Sequence, residues 1–225
     1  MNDNTAKKSG LVISAHSADF VWRAGGAIAL HKEQGYNMHV VCLSYGERGE
    51  SAKLWRQAGM TEERVKEIRE QEARAAAEAL GASIEFLNLG DYPLPTNNDI
   101  IFKLADIYRE LQPSFVMSHS LQDPYNYDHP RATHLAQEAR IIAQAEGHNP
   151  GQKIIGAPPF YCFEPHQPEQ CNWKPDVFLD ITSVWDKKYA AIQCMQGQEH
   201  LWEYYTRVAL QRGVQAKRNI GITSA

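Results

Sequence analysis

The sequence contains no long apolar run, few cysteines and no excess of positive charge, and each absence excludes a class of protein. No stretch approaches the roughly 18 apolar residues that a membrane span needs, and no apolar signal core follows the opening MNDNTAKKSG. The 27 Asp and Glu residues outnumber the 23 Lys and Arg residues, so there is no general attraction to nucleic acid or to an anionic membrane. The composition predicts a cytoplasmic protein that binds neither.

The cysteines are too few and too scattered for a disulfide framework or a thiolate zinc site. Cys42, Cys162, Cys171 and Cys194 include no C-x-x-C pair, so buried reduced thiols are expected. A chain of 225 residues with 43% hydrophobic residues fits one sizeable core. We therefore expect a single domain over residues 1–225, with residues 1–9 as a flexible tail.

Strand-length apolar runs alternate with helical periodicity along most of the chain. Strands are predicted at 11–15, 38–43, 83–89 and 114–118, and helices at 23–35, 61–80, 98–111 and 128–146. After residue 150 the pattern is irregular and proline-rich, followed by a predicted strand at 177–181 and a helix at 184–198. This alternation predicts an α/β fold of the Rossmann-like kind, with a mostly parallel sheet and helices on both faces.

Polar residues with metal-binding or catalytic chemistry follow three of these strands. His16 and Asp19 follow the first strand, and the segment SYGERGES, with Glu47, Arg48 and Glu50, follows the second. The segment after the fourth strand, SHSLQDPYNYDHPRATH, contains His119, Asp123, Asp128, His129 and His134. Because ligands of open parallel sheets lie beyond the carboxyl ends of the strands, we expect these loops to meet at one edge.

The spacing of these residues suits a divalent metal ion. A single histidine after a strand is more often a packing or hydrogen-bonding residue than a ligand. His16 and Asp19, together with the histidine of the Asp128–His129 pair, supply two imidazoles and one carboxylate. Such a set, with an open position for water, is typical of catalytic zinc or a similar ion.

Several ordered motifs resemble those of the PIG-L (LmbE-like) family of metal-dependent N-acetylglucosaminyl deacetylases. They are AHSADFVWRAGGAIA, LSYGERGES, EIREQEARAAAEALG, DPYNYDHPRAT and PDVFLDITSVWDKKYAAIQCMQGQ. The resemblance implies a Rossmann-like fold of the PIG-L/LmbE type and a zinc ion bound by His16, Asp19 and His129. The same ligands accept other divalent transition metals, so the sequence does not select one.

Three departures from the family pattern bear on the chemistry. The family's general-base aspartate is replaced by Ala18, its proline after the first histidine by Ser17, and the first histidine of its H-P-D-H motif by Asn126. A positioned general base contributes about 10²–10⁴ in rate. Losing it should cripple amide hydrolysis.

Two other residues are candidates for catalysis. The resemblance places Glu50 near the metal-bound water, where it could orient and deprotonate that water, with Glu47 as a rival and a solvated loop carboxylate as the ordinary alternative. It also implies an active-site histidine from the C-terminal portion, which matches His166 in CFEPHQPEQ. A histidine can donate a proton near neutral pH, although one between prolines is also compatible with a simple exposed loop.

Basic residues lie in or beside the motifs, at Arg23, Arg48, Lys53, Arg69 and Arg131. Each alone is a common surface charge, but guanidinium groups bind carboxylates in bidentate fashion. We expect Arg23, Arg48, Arg69 and Arg131 to bind the substrate. A sugar would not need them, whereas a polycarboxylate would.

The motif AHSADFVWRAGG, with an alanine at the base position, resembles the motif of a hydratase branch of the family. This resemblance implies a lyase that adds water to a conjugated carbon–carbon double bond of a tricarboxylate. The alternatives are a zinc-dependent N-acetyl sugar deacetylase and a metal-binding, non-catalytic relative. A nucleotide-binding protein is disfavoured, because RAGGAIAL contains no G-x-G-x-x-G after a strand. We also expect a homo-oligomer. Relatives usually continue beyond the position of NIGITSA, which leaves open whether a C-terminal segment is missing from this chain.

Overall fold

The computed structural model describes residues 8–220, with side chains described to residue 218. A sheet of five parallel strands in the order β3-β2-β1-β4-β5 forms its centre. The strands are β1 (Ser9–Ser14), β2 (Asn37–Cys42), β3 (Ser83–Phe86), β4 (Phe115–Ser118) and β5 (Phe160–Cys162). The Rossmann-like parallel architecture predicted from the sequence is confirmed.

Seven α-helices connect and cover the strands in the described part of the chain. They are α1 (Gly25–Glu33), α2 (Ala52–Trp55), α3 (Glu62–Leu80), α4 (Asn98–Leu111), α5 (Asp128–Ala143), α6 (Trp185–Cys194) and α7 (Trp202–Ile220). A π-helical turn, Phe20–Ala24, precedes α1, and a 3₁₀ segment, Gln196–Leu201, precedes α7. None of the helices formed by residues 8–220 combines the length and apolar character that crossing a lipid bilayer requires.

Local sequence signals explain where the long helices begin and end. The side chain of Thr61 accepts a hydrogen bond from the backbone N–H of Arg64, and Asn97 caps α4 in the same way at Ile100. Helix α3 ends at Gly81, whose φ of +76° favours glycine because it has no Cβ. These boundaries agree closely with the predicted helices 61–80 and 98–111.

The sheet separates two buried apolar layers. Val12 of β1 packs into the layer formed with α1, α3 and α6, whereas Leu11 and Ile13 pack into the layer formed with α4 and α5. All three side chains are fully buried, as expected for a central parallel strand covered on both faces. The core therefore fixes the end of β1, from which the chain continues directly to His16.

The C-terminal third differs from its prediction. Within residues 8–220, segment 177–181 forms no strand, and its apolar residues Val177 and Leu179 are 65% and 44% exposed. The position beside β4 is occupied instead by β5, from the segment predicted to be irregular. Helix α7 was not predicted, and the helix predicted at 184–198 ends at Cys194.

Two further expectations can be placed on the described residues. Residues 1–7 of the predicted tail lie outside them, but Ser9 is the first residue of β1 and is buried. All four cysteines are free thiols, with Cys42 and Cys171 buried and Cys162 and Cys194 partly exposed.

Candidate metal centre and active site

The loops after β1, β2 and β4 meet at the carboxyl edge of the sheet. Ser14 ends β1, and His16 and Asp19 follow before the π-helical turn. The chain from β4 reaches this edge again at the start of α5, which contains His129. Hydrogen bonds tie the loops together, since the backbone N–H of Ser44 donates to Ala15 O and the Ser17 hydroxyl donates to Tyr45 O.

His16, Asp19 and His129, the three predicted metal ligands, lie side by side and are buried. The Asp19 Oδ2 atom is 3.1 Å from His16 Nδ1, and its Oδ1 atom is 3.4 Å from His129 Nε2. Burial alone would raise the pKa of Asp19, but the neighbouring histidines outweigh it and hold the pKa well below its usual value. Asp19 is therefore an ionised carboxylate between two imidazoles.

Each of these histidines has a carboxylate on its far side. His16 Nε2 is 3.4 Å from Asp128 Oδ2, and His129 Nδ1 is 2.8 Å from Asp123 Oδ2. With the proton held on the carboxylate side, His16 Nδ1 and His129 Nε2 are free to face Asp19. Metal-bound histidines are commonly oriented by such carboxylate partners.

The surroundings of the buried His129 Nε2 atom indicate whether a metal ion fits at this site. Among the described residues it has no hydrogen-bond partner, although buried polar atoms are rarely left unpaired. A cation bound between His129 Nε2, His16 Nδ1 and Asp19 would satisfy this nitrogen. The donor set, two imidazoles and one carboxylate, is also one that divalent transition metals accept.

Two overlapping groups in the described chain have possible ligand atoms within 4.8 Å of one another, namely His16, Glu50 and His129, and Asp19, His119 and His129. His119 is the poorer ligand, because its Nε2 accepts the backbone N–H of Ala15 at 2.9 Å. Burial lowers its pKa, so the ring is neutral, and it stacks on His129 at a centroid distance of 4.2 Å. His119 therefore supports a ligand rather than acting as one.

Glu50 lies at the edge of this cluster, with Oε1 at 3.8 Å from His16 Nδ1. Its rival Glu47 is fully buried and directed elsewhere, accepting the backbone N–H of Tyr45 and lying 3.5 Å from Lys66 Nζ. Of the two carboxylates, only Glu50 is therefore placed to meet a molecule at the metal ligands. Gly46 makes this possible, since its φ is +70° and a Cβ there would lie 2.9 Å from Glu50 Cβ.

His166 is half-buried on the segment after β5. Its Nδ1 is 3.2 Å from the hydroxyl of Tyr205, and its backbone oxygen accepts a hydrogen bond from Tyr204. Burial is the main cause of a lowered pKa for His166, with the charge of Arg23 adding to it. Tyr205, which sequence reasoning missed, is buried against Trp22 with the rings stacked at 5.2 Å.

The predicted substrate-binding arginines occupy different environments. The Arg23 side chain is buried, with Nη1 donating to the backbone oxygen of Glu164 at 3.3 Å. Its Nε lies 3.7 Å from Asp19 Oδ1 and has no hydrogen-bond partner among the described residues. Arg48 and Arg131 have side chains that are 50% and 40% exposed, and Arg131 Nη1 lies 3.3 Å from Asp128. Lys53 is paired at the surface with Glu199.

Arg69 does not reach the cleft. It is fully buried in α3, where its guanidinium donates to Glu72 at 2.6 Å and to Gln198 at 2.7 Å. The structure therefore gives no support to substrate binding by Arg69. Gln198 ends the quoted motif PDVFLDITSVWDKKYAAIQCMQGQ, but it was missed as a site residue because nothing in the sequence shows what its amide contacts.

A parallel sheet with a His–Asp–His cluster at its carboxyl edge defines a class of α/β proteins built around a candidate divalent-ion site. The chain belongs to the PIG-L family, whose GlcNAc-PI de-N-acetylase profile matches residues 11–140, more than half of its length. This confirms the family predicted from the sequence motifs.

Three comparisons with known proteins agree with this family. It is 78% identical over 224 residues to the 4-oxalmesaconate hydratase of Pseudomonas putida strain KT2440, covering 100% of this chain and 87% of that protein. The crystal structure of GalB, the 4-carboxy-2-hydroxymuconate hydratase from Pseudomonas putida KT2440, superposes with a TM-score of 0.94 at 78% identity, covering 97% and 91% of the two chains. The N,N'-diacetylchitobiose deacetylase of Pyrococcus horikoshii has a TM-score of 0.80 at 25% identity, covering 97% and 82%.

Proposed function

We propose that this chain is a hydro-lyase that adds water to a double bond of 4-carboxy-2-hydroxymuconate, the tautomer of 4-oxalomesaconate, to give 4-carboxy-4-hydroxy-2-oxoadipate. The observation that carries this proposal is the 78% identity to a hydratase over the whole chain. Ala18 agrees with it, because a buried methyl group stands where deacetylases of the family have their general base. The reaction belongs to gallate and protocatechuate catabolism.

In this proposal His16, Asp19 and His129 hold a divalent ion, with zinc as the expected metal. Bound there, the ion would supply Lewis-acid chemistry that makes a water molecule nucleophilic near neutral pH. The chain's own contribution is to keep the ligand atoms pointed inward. Asp128 and Asp123 do this by fixing the proton positions of the two imidazoles.

Glu50 orients the attacking water and accepts its proton. The carboxylate is held by hydrogen bonds to both oxygens, from Asn126 Nδ2 at 2.9 Å and Gln198 Nε2 at 2.8 Å. Each carboxylate oxygen has a second lone pair that can accept from water. The general base is thus supplied by the loop after β2, and a carboxylate at position 18 is not needed.

His166 delivers the proton to the carbon next to the one that water attacks. Its lowered pKa keeps the ring neutral in the free enzyme, and the negative charge of a bound tricarboxylate favours its protonated form. The hydroxyl of Tyr205 contacts Nδ1, so Nε2 is the nitrogen that would donate to the substrate. The group that activates the water and the group that donates the proton therefore lie on different segments of the chain.

Arg23, Arg48 and Arg131 are the proposed partners of the substrate carboxylates. The unpartnered Nε of Arg23 and the half-exposed guanidinium groups of the other two leave donors available for an anion. We further propose that the enzyme acts in the cytoplasm as a homo-oligomer.

The test is to follow the loss of the conjugated dienoate absorbance when enzyme is added to 4-carboxy-2-hydroxymuconate. Activity should disappear after chelation, return with a divalent metal, and be absent in His129→Ala. The matched control is His134→Ala, on the same helix α5 but outside the ligand cluster, which should retain activity. Metal-loaded enzyme that leaves the dienoate unchanged would refute the function, and acetate release from an N-acetyl sugar would establish the deacetylase alternative.

A further inference from the structure

Gln198 connects the proposed water-activating carboxylate to the buried core. Its Nε2 donates to Glu50 Oε2 at 2.8 Å, while Asn126 donates to the other oxygen. Gln198 is itself buried, in the 3₁₀ segment between α6 and α7. A residue that lies 148 positions from Glu50 in sequence thus fixes one of its two oxygens.

The orientation of the Gln198 amide follows from its other partner. Arg69 Nη2 lies 2.7 Å from Gln198 Oε1, and a guanidinium has hydrogen-bond donors but no acceptor. The amide oxygen must therefore face Arg69, and the NH₂ group must face Glu50. A flipped amide would put a donor against Arg69 and an acceptor against the carboxylate.

Arg69 is locked in turn by Glu72 and Gly197. Glu72 Oε2 accepts from Arg69 Nη1 at 2.6 Å, and Glu72 Oε1 accepts the backbone N–H of Gly197 at 2.7 Å. A Cβ at position 197 would lie 2.9 Å from Arg69 Nη1, so the close approach requires glycine. These contacts hold the turn carrying Gln198 against α3.

We propose that Gln198, oriented by Arg69, is a positioning residue that holds the Glu50 carboxylate in the geometry needed to activate water. This rests on the proposed role of Glu50. Arg69 then acts two contacts away from the reaction rather than on the substrate. Hydrogen bonds that run in one direction from a guanidinium through an amide to a carboxylate strengthen one another.

The test is a double-mutant cycle between Gln198→Ala and Glu50→Ala, measured by hydration kinetics. Losing a hydrogen bond to a charged group corresponds to about a 10- to 100-fold fall in kcat. KM and metal content should stay unchanged. In the Glu50→Ala background the Gln198 substitution should cause no further loss, because no carboxylate remains to be positioned.

Two further variants separate positioning from a structural effect. Gln198→Glu keeps an acceptor for Arg69 but puts a second carboxylate against Glu50, so it should lose at least as much activity as Gln198→Ala, with circular dichroism checking that the fold is kept. Gln196→Ala is the matched control, because Gln196 lies on the same turn and its amide donates only within the local chain, to Gln193 O. It should behave as the wild type.

The outcomes distinguish this inference from the proposed function. If the wild type turns over and Gln198→Ala has the same kcat, positioning by Gln198 is refuted while the hydratase proposal stands. The same holds if the two losses of kcat multiply in the double variant. A wild-type enzyme with no hydration would overturn the function itself. Full activity in Glu50→Ala would remove the role on which the inference depends.

Discussion

Replacing Asp128 with asparagine removes a carboxylate that orients His16 and anchors a loop. Asp128 Oδ2 accepts the backbone N–H of Tyr92 at 2.9 Å and faces His16 Nε2 at 3.4 Å, while Oδ1 accepts the N–H of Leu94 at 2.8 Å. An asparagine side chain has one acceptor oxygen, so its NH₂ group must face at least one of these donors. We expect both the fold and the metal site to weaken.

The magnitude follows from the pKa of Asp128. Burial raises it, but the hydrogen bonds from His16 and from the two backbone amides outweigh burial and lower it from 3.8 to about 2. At about 1.4 kcal/mol per pKa unit, this lowering of the pKa corresponds to about 2 kcal/mol of folding stability. We reduce the value to about 1–2 kcal/mol, because water screens the side of Asp128 that faces the half-exposed Arg131. This value already includes the backbone hydrogen bonds, which are among the causes of the pKa shift. It predicts a melting temperature lower by roughly 2–8 °C.

Thermal unfolding of the metal-free protein checks this value, and competition with a chelator measures metal affinity. Because the folded-state pKa is depressed, the stabilisation is complete above about pH 4 and is lost as the pH falls through about 2. Metal affinity should fall by about 10- to 100-fold. Asp186→Asn, exposed in the first turn of α6, is the control. Asp128→Asn melting together with the wild type at neutral pH would refute the reasoning.

Other substitutions probe the same site. Ala18→Asp should lower hydration at least about 10-fold without producing a good deacetylase, since it buries another carboxylate beside Asp19. Improved hydration would contradict this. Tyr205→Phe should reduce kcat about 2- to 10-fold at constant KM, because the hydroxyl beside His166 Nδ1 is lost, and a change confined to KM would argue against that role. Gly46→Ala should abolish most activity and lower the free energy of unfolding by about 1–3 kcal/mol, because the new Cβ would contact Glu50 and the backbone has a positive φ. Denaturant unfolding measures the stability, and a fully active variant would show that the loop can shift.

The layered fold could be predicted because apolar strands and helix caps are local signals. The alternation of apolar runs gave β1, β2 and β4 to within two residues at each end, and Thr61 and Gly81 marked α3. Segment 177–181 was mispredicted because Val177 and Leu179 are exposed and Ile181 packs against the core without joining the sheet. The strand beside β4 is Phe160–Cys162, and its three residues are too few to give a recognisable strand pattern in the sequence.

The residues of the candidate site also divide into those that the sequence predicts and those that only the folded chain reveals. His16, Asp19 and His129 could be proposed because they follow strand ends, and parallel strands bring their ends together. Whether Glu47 or Glu50 faces them depends on the path of the loop at Gly46, which spacing does not encode. The partnership of Arg69 with Gln198 spans 129 positions and follows no periodicity, so only the folded chain reveals it.

The groups at this site come from two separate parts of the chain. The residues that would hold the ion and activate water, from His16 to His129, all fall within the segment that matches the PIG-L family profile, 11–140. The proposed proton donor His166, its contact Tyr205 and the proposed positioning residue Gln198 all lie downstream of that segment. Selection can therefore change the proton-donating side of the site through substitutions in the final third of the chain, while the residues proposed to bind the ion stay unchanged.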